Sequence, residues 1–452
     1  MRFKLLTLSF AAILTACSSV LDVPPTSSVP SDIAINDAIG ARAALAGAYQ
    51  ALQAGGSYGH RIVDWTELLS DNMRFTGTFD DYADADAHIL RSDNFTDNQI
   101  WTAAYDAINR ANQILKHVPD VTDLQAAEKD EILGEAYFLR ALQYHNLVRL
   151  WGDVPLRLEP VTNAVDAGTI SRASVAAVYT QILADLTQAE ALITNNDDTR
   201  QATIGAAYAI EARVRLYQQD WAGAEAAAAT VESMGYSLAP EYADLFDATG
   251  NDTPEDIFRV TFLPTQAQLV GFYYLPKPFG GRYEVAPAPS ILIAYDPASN
   301  GTQFSTYHPT DKRGIFNISA QGATQSRIYA SKFRNPTGDE DLHVIRLGEV
   351  ILIRAEALAH LARFPEALAE INRLRVRAGV AALPTTGGTL PTVLASIAKE
   401  RRLELAFEGD RWADMVRTGE ALLQGVPAFQ TLLPLPQREI DTAPNLTQNP
   451  GY

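Results

Sequence analysis

ERRLELAFEGDRWADMVR, residues 400–417, combines a helical spacing of apolar residues with a high density of opposite charges. Leu405, Trp412 and Val416 fall on one face of a helix. The charged residues that lie close together are Glu400, Glu404, Glu408 and Asp410, with Arg401, Arg402, Arg411 and Arg417. Paired carboxyl groups are typical of glycosidases, but a general acid needs a raised pKa, and adjacent arginines lower it. We therefore interpret these acids as a structural ion-pair network and expect no catalytic residue among them.

Two segments upstream share one helical scheme. IGAAYAIEARVRLYQQDWAGAEAAAATV, residues 204–231, predicts a helix, a short polar turn with Trp221, and a second helix. EVILIRAEALAHLARFPEALAEINRLRVRAG, residues 349–379, repeats the scheme with Phe364 in the aromatic position and Pro365 opening the second helix. Both resemble tetratricopeptide helical hairpins. Two unrelated amphipathic hairpins are the alternative.

Three further helical patterns extend this organisation over the first half of the chain. Apolar residues recur at helical spacing over 100–116, over 126–150 and near 175–192, and glycine and proline in 151–155 end the second pattern. The sequence therefore predicts a mainly α fold built of helical hairpins.

Residues 264–338 depart from the helical pattern, with 15 Gly or Pro among 75 residues against 52 in the whole chain. The segment is also rich in aromatic residues, which argues against disorder. A long irregular segment inside a helical protein is usually functional. We predict ordered loops and short strands that carry a binding surface, a loop-rich segment over 262–340 inserted between the hairpins.

The N-terminal stretch LTACSSVLDVPP, residues 14–25, contains Cys17, the only cysteine of the chain. A basic start at Arg2 and Lys4 and an apolar run over 5–14 precede it. This pattern is typical of a secretory signal, and the run is too short to span a bilayer. The residues around the cysteine resemble the bacterial lipobox, in which the cysteine carries the lipid.

We predict a lipoprotein signal peptide over 1–16 and lipidation of Cys17. A Ser- and Pro-rich tether over 17–36 would join the lipid to a single folded body over 37–452. An ordinary signal sequence with an incidental cysteine is the alternative.

Charge and motifs exclude several function classes. The formal net charge of −18 disfavours nucleic acid and anionic lipid as partners. The sequence contains no GxSxG, Walker or GxGxxG motif and no His pair at zinc-site spacing, so we expect no enzyme and no cofactor. The acidic run FDDYADADAH, residues 79–88, could ligate calcium through the carboxylates of Asp80, Asp81, Asp84 and Asp86. It lacks the glycine and terminal Glu of an EF-hand, which favours a solvated acidic loop and no metal site.

Several motifs together resemble the SusD/RagB family across nearly the whole chain. The specific ones are the FEGDRW element within 400–417 and the ending NLTQNPGY. The supporting stretches are LDVPPTSSV (21–29), AYQAL (48–52), ELLSDN (67–72), EAYFLRALQYHNLVRLWGDVPL (135–156) and LLPLPQREIDTAPNLTQNPGY (432–452).

The resemblance implies a SusD-like α superhelical fold and a role in nutrient capture. Such proteins are outer-membrane surface lipoproteins that bind oligosaccharides, or peptides in some members, and act as a lid on a SusC-like TonB-dependent transporter. Cys17 would then anchor the lid through its lipid at the cell surface, and the transporter would do the energised work.

Candidate ligand-binding residues follow from the resemblance, because the family's ligand face combines the region after the SDN element with the irregular segment. Each of the five Trp residues has a structural alternative in a helix or turn, so we select loop residues. From the first region they are Asp71, Asn72, Arg74, Phe75, Phe79 and Tyr82, and from the second Tyr273, Tyr274, Phe279, Arg282, Tyr283 and Tyr307. Asp71 and Asn72 could equally be a helix terminus that folds the loop.

Three functions remain open at this point. The first is a nutrient-binding lid for oligosaccharides or, as in RagB-like members, for peptides. The second is a tetratricopeptide-type scaffold lipoprotein that binds only protein partners, and the third is a surface glycosidase. The glycosidase requires a pair of acids in a cleft, at least one of them not neutralised by Arg.

Overall fold

The computed structural model describes residues 31–161, 168–246, 252–322 and 327–452. The predicted signal peptide, Cys17 and the tether as far as residue 30 lie outside the described residues, so lipidation stays a prediction. Within the described residues, no helix has the length and apolar character needed to cross a membrane.

Helices dominate the described part of the chain. In chain order they are α1 (Ser31–Ala34), α2 (Ala38–Leu52), α3 (Arg61–Leu68), α4 (Asp80–Asp86), α5 (Phe95–His117), α6 (Ala126–Trp151), α7 (Val175–Leu192), α8 (Ile204–Tyr217), α9 (Trp221–Ser233), α10 (Val270–Tyr274), α11 (Pro289–Tyr295), α12 (Lys312–Asn317), α13 (Leu347–His360), α14 (Phe364–Arg377), α15 (Leu390–Glu404), α16 (Arg411–Arg417), α17 (Glu420–Leu423) and α18 (Gln437–Thr442). Short 3-10 turns lie at Val118–Asp120, Tyr242–Phe246, Lys277–Phe279, Phe304–Thr306 and Ala428–Thr431. The mainly α prediction is confirmed.

Strands are short and pair two at a time among the described residues. They are β1 (Met73–Phe75), β2 (Val154–Pro155), β3 (Arg172–Ala173), β4 (Asp256–Val260), β5 (Val285–Pro287), β6 (Ile318–Gln321), β7 (Arg327–Ala330) and β8 (Leu342–Arg346). The antiparallel pairs are β1 with β5, β2 with β3, β4 with β8, and β6 with β7.

Local sequence signals explain where the helices begin and end. Asn94 accepts the backbone N–H of Thr96 at 2.9 Å and so caps the start of α5, and Thr203 does the same for Ala206 at the start of α8. Gly152, with φ of 74°, ends α6 in a conformation that other residues rarely adopt. The sequence predicts a turn from residue 151 onward, and this bound is wrong by one residue, because Trp151 is the last residue of the helix.

The two predicted hairpins form and pack on each other. α8 packs against α9, α13 against α14, and α9 and α13 join the two pairs. α5, α6 and α7 make a second helical layer that continues into α8. This arrangement is compatible with tetratricopeptide-like pairs, in which each hairpin buries the face its neighbour leaves open.

The described residues of the irregular segment, 264–322 and 327–338, form loops, short strands and short helices. The longest helix among them is α11, which has seven residues. Helices of this length gain little from their own backbone bonds. Contacts of α11 and α12 with α15, and of β5 with β1, therefore hold the segment in place.

Three acids of the 400–417 stretch take part in a buried charge network with residues from other elements. Its members are Glu255, Arg313, Lys332, Arg346, Arg377, Glu400, Glu404 and Glu408. Arg346 Nη1 donates to Glu404 at 2.7 Å and to Glu255 at 2.8 Å, and its side chain is 1% exposed. The acids therefore pair mainly with cations from other elements.

The predicted ion pairing of these acids is confirmed, but the expected partners differ. Arg401 bonds Asp410, while Arg402 and Arg411 reach Asp71 and Arg417 reaches Glu356. The reason is geometric, because α15 ends at Glu404 and a turn follows. The acids then face the core while Arg402 and Arg411 face the loop that contains Asp71.

The network predicts how stability depends on pH. Burial alone would raise the pKa of Glu408, but Arg346 and Lys332 outweigh it and lower that pKa to about 2. Because this folded pKa lies below the unfolded value of about 4.3, the stabilisation is present above that value and is lost as the pH falls towards 2. We expect the urea concentration at the midpoint of unfolding to decrease as the pH is lowered from 5 to 2.5.

A matched variant isolates the contribution of this carboxyl group. Glu408→Gln does not titrate, so its midpoint should be lower at pH 6 and should fall less steeply with acid than that of the wild type. A wild-type midpoint that is constant from pH 5 to pH 2.5 would contradict the assignment.

Candidate functional site

The two segments predicted to form the ligand face meet in the structure, although about 200 residues separate them in sequence. β1 pairs with β5 in a register that places Arg74 opposite Ala286 and Phe75 opposite Val285. The pairing continues beyond the strands, since the N–H of Thr76 donates to the carbonyl of Glu284 at 2.9 Å. Residues 73–79 and 282–287 are therefore one local unit.

Glu284 fixes the loop that follows β1. Its carboxylate is buried and accepts from the backbone N–H of Thr78 at 2.7 Å and of Phe79 at 3.3 Å. It also accepts from Arg282 Nε at 2.6 Å. Gly77 is required here, because a Cβ at this position would lie 1.8 Å from the same carboxylate. One side chain thus positions both Phe79 and Arg282.

A set of exposed and partly buried rings and exposed guanidinium groups surrounds this unit, and we call it the aromatic face. Its members are Arg74, Phe79, Phe279, Arg282, Tyr283, Arg327 and Tyr329. The ring centroids of Phe279 and Tyr329 are 5.4 Å apart, and Phe279 is 47% exposed. The guanidinium of Arg282 lies 4.1 Å from the centroid of the Phe79 ring, a cation–π distance.

Strand β7 contributes two of these residues, and the sequence analysis missed both. Arg327 and Tyr329 point to the open side of the strand, while Ile328 and Ala330 are buried on the other. The alternation in RIYA was the available signal, since successive strand residues face opposite sides. Pairing with β6 and packing against β5 bring them beside Tyr283.

The backbone around Tyr283 is strained. Its φ is 61°, a left-handed value that bulky residues seldom adopt. The tyrosine hydroxyl donates to the carbonyl of Ile328 at 2.9 Å, which holds the ring against β7. Strain of this kind collects at binding sites, where the surrounding contacts maintain it.

A buried aromatic and polar cluster supports the aromatic face from below. The ring of Phe79 packs edge-on against Tyr82 at 5.5 Å and Tyr273 at 5.6 Å between centroids. Tyr82 donates to Asp64 at 3.0 Å, and His60 lies 3.0 Å from the same carboxylate. Burial lowers the pKa of His60 and raises that of Asp64. Tyr82 and Tyr273, both predicted as ligand residues, therefore lie in the supporting layer.

Asp71 and Asn72 anchor the start of β1 to the 400–417 stretch. Arg411 Nε donates to Asp71 at 2.8 Å, and Arg402 Nε donates to the amide oxygen of Asn72 at 2.9 Å. Burial opposes the ionisation of Asp71, but Arg411 and Arg402 outweigh it and lower its pKa. These contacts agree with the alternative that Asp71 and Asn72 serve to fold the loop.

The remaining predicted residues divide between surface and core. Phe75 is half-buried at the edge of β1. Tyr274 is fully buried against Phe333 and Phe407, and Tyr307 is buried and donates to the carbonyl of Gly314 at 2.9 Å. The structure does not bring these two hydroxyls to the aromatic face, and ligand contact by any of the candidates stays a prediction.

The carboxylates of the acidic run, residues 79–88, do not converge on one site. Thr96 donates to Asp81, and Asp84 pairs with Arg91 at 3.3 Å. In the described ranges, no three His, Cys, Asp or Glu side chains are close enough together to hold a metal ion.

A cleft of about 670 Å³ lies away from the aromatic face, among α8, α9, α13 and α15. Trp221 stacks on His360 in its wall, with ring centroids 3.7 Å apart. None of the predicted ligand residues lines it. The aromatic face and this cleft are therefore separate regions of the protein.

Comparison with known families and structures agrees with this architecture. A family model described as starch-binding associating with outer membrane matches residues 20–216, and the SusD family model matches residues 297–430. Together the two matches cover more than half of the chain. This chain belongs to the SusD family. The resemblance inferred from sequence is thus confirmed, and the first match associates the family with the outer membrane.

Relatives and solved structures of SusD proteins align over most of the chain. SusD-like protein P38 of Formosa agariphila is 27% identical over the full length of both chains. A SusD superfamily protein from Bacteroides vulgatus superposes with a TM-score of 0.82 at 21% identity, covering 92% of this chain and 99% of that one. A laminarin binding SusD-like protein superposes with a TM-score of 0.76 at 25% identity, covering 92% of this chain and all of the other.

Proposed function

We propose that this chain is a cell-surface lipoprotein that captures oligosaccharides on the aromatic face and delivers them to a SusC-like TonB-dependent transporter. The observation that carries the capture step is the aromatic face itself. It presents exposed and partly buried rings together with polar groups on a backbone fixed by Glu284 and the β1–β5 pair. Laminarin binding by a protein of the same fold supports a glycan ligand.

The chemistry of a sugar ring matches this surface. The C–H face of a pyranose packs on flat aromatic rings, and its hydroxyls need donors and acceptors at the rim. Phe279 and Tyr329 offer adjacent rings, and Arg282 offers donors beside Phe79. Two such groups of side chains on one surface would bind more than one sugar unit of an oligosaccharide.

The lid mechanism rests on family membership and on the N-terminal pattern. Cys17 would be lipidated and anchored in the outer membrane, and the tether would let the body swing over the transporter. Ligand would be trapped between lid and barrel on closure. The aromatic face would then point towards the transporter, and no chemistry would be required of this chain.

The acids of this region do not support a glycosidase. Glu284, the carboxylate beside the rings, is buried and bonded to Arg282 and two backbone N–H groups. Glu404 and Glu408 both pair with Arg346, so they are not the un-neutralised acids that a glycosidase requires. A peptide-capturing lid remains a second candidate, because exposed rings and arginines also suit peptide side chains.

Calorimetric titration of the chain from residue 18 onward tests capture directly. The ligands are a panel of neutral and charged oligosaccharides beside a panel of peptides. We expect saturable binding to one glycan class, and Phe279→Ala with Tyr329→Ala should weaken it at least about tenfold by removing two stacking rings. Phe429→Ala is the matched control, because Phe429 is 41% exposed and packs on Tyr452 away from the aromatic face.

Each other result has a defined meaning. Binding of peptides alone would assign the chain to the peptide-capturing candidate and keep the lid. The absence of binding in both panels by folded protein would overturn capture and favour a scaffold. An equal loss of affinity in the control variant would show that the aromatic face is not the site.

A further inference from the structure

Two arginines of the aromatic face have no ionic partner, although the chain is rich in paired arginines. Arg74 and Arg327 are exposed, and neither forms an ion pair with another of the described residues. Arg74 is held by a single 3.3 Å bond from Nε to the carbonyl of Pro287. In contrast, Arg282 forms an ion pair with Glu284.

Both guanidinium groups lie near the same ring, since Arg74 is on β1 and the hydroxyl of Thr76, two residues further on, donates to the carbonyl of Tyr283 at 2.9 Å. The guanidinium of Arg327 lies 5.7 Å from the centroid of Tyr283. Burial raises the pKa of the Tyr283 phenol, and Arg74 and Arg327 each oppose that rise, so both lie within electrostatic reach of it. Two cations therefore lie near one aromatic ring, which the bond to Ile328 holds in place.

Nearby acids are few and mostly occupied. Glu284 is buried and fully bonded, and Asp81 and Asp84 are engaged by Thr96 and Arg91. Asp86 lies near Arg74 but is half-buried, and burial raises its pKa. Asp80 is exposed next to Phe79. The exposed cation Lys277 precedes Phe279 and adds positive charge to the same region.

We propose that the oligosaccharide captured on the aromatic face is anionic, and that its carboxylate or sulfate group is bound between Arg74 and Arg327 above Tyr283. The inference rests on the proposed function, since it names the ligand class of that site. Guanidinium groups bind both anions through parallel N–H donors, which a neutral hydroxyl cannot match.

The local charge explains why the anion would bind here and not elsewhere on the protein. The net charge of −18 repels an anionic chain over most of the surface. Two neighbouring guanidinium groups without an acidic partner are stabilised by an anion that binds both of them. Such binding weakens as salt rises, because screening acts strongly on exposed charges.

The test compares three ligand types with the chain from residue 18 onward at 50 and at 500 mM NaCl. The probes are a neutral gluco-oligosaccharide, a galacturonate oligosaccharide and a sulfated galactan oligosaccharide of similar length. We expect at least one anionic ligand to bind ten or more times tighter than the neutral one at low salt, with the preference shrinking at high salt. The uronate and the sulfate arms distinguish the two sources of charge.

Arginine variants locate the effect. In Arg74→Gln/Arg327→Gln the preference for the anionic ligand over the neutral one should fall to about twofold or less. Arg200→Gln is the matched control, because Arg200 is exposed and paired with Asp198 outside the aromatic face. It should keep the full preference.

The outcomes separate this inference from the proposed function. Saturable binding that is equal for neutral and anionic chains, or a preference that survives in the double variant, would overturn the anionic assignment and leave glycan capture intact. Failure of folded protein to bind any glycan would overturn both. Circular dichroism of each variant verifies folding.

Discussion

Arg346→Met should destabilise the protein by about 3–5 kcal/mol, the largest loss we expect from one substitution. The side chain is 1% exposed and bonds Glu255, Glu404 and Glu408. Methionine keeps much of the volume but leaves these carboxylates buried with fewer cations. Urea unfolding followed by circular dichroism should show a lower midpoint with an unchanged slope.

The control for this variant is a surface pair of the same chemistry. Arg200→Met removes the exposed pair with Asp198 and should change the free energy of unfolding by about 1 kcal/mol or less. If Arg346→Met were as mild as this, the remaining cations Arg313, Lys332 and Arg377 would suffice, and the network would not depend on Arg346.

Glu284→Ala should abolish most ligand binding and also lower stability by about 2–4 kcal/mol. The substitution removes the acceptor for the N–H groups of Thr78 and Phe79 and the partner of Arg282. Each unsatisfied buried donor costs about 1–3 kcal/mol. With the loop released, Phe79 and Arg282 lose their positions, and we expect affinity for the captured glycan to fall at least about tenfold.

Two measurements keep these effects apart. Calorimetric titration at a temperature well below the unfolding transition reports affinity, and urea unfolding reports stability. Glu241→Ala, which removes an exposed pair with Lys312, should affect neither. Wild-type affinity in Glu284→Ala would show that the loop after β1 takes no part in binding.

Helix patterns predicted the fold well because the information is local. The pattern near 175–192 matches α7, and the hairpins begin and end within a few residues of their predicted limits. Periodicity, capping residues and Gly or Pro stops act over a few residues, so they can be recognised without knowledge of the tertiary structure.

The partners of charged residues could not be predicted in the same way. Glu404 is four residues from Glu408 and Glu400, but its cations come from positions 313, 346 and 377. Nothing in a local pattern indicates which distant arginine will face a buried acid. The sequence therefore predicted that the acids are paired, and not by which residues.

For the candidate site, the sequence predicted which regions of the chain meet, but it did not predict which of their side chains are exposed. The two predicted regions do meet, but Tyr82 and Tyr274 look the same in sequence as Tyr283 and differ from it only in burial. Aromatic residues serve cores and binding surfaces equally well. Arg327 and Tyr329 were missed because a four-residue strand gives a weak alternation signal.

The bonds of Glu284 have a consequence for how such a surface can change over generations. They hold the backbone of residues 76–79 and 282–284 without using the exposed rings. Phe279 is 47% exposed, Tyr329 is partly buried, and neither ring takes part in these bonds, so exchanging either for another residue should cost little stability. A few surface substitutions can therefore change the ligand specificity of such a chain while its interior stays constant.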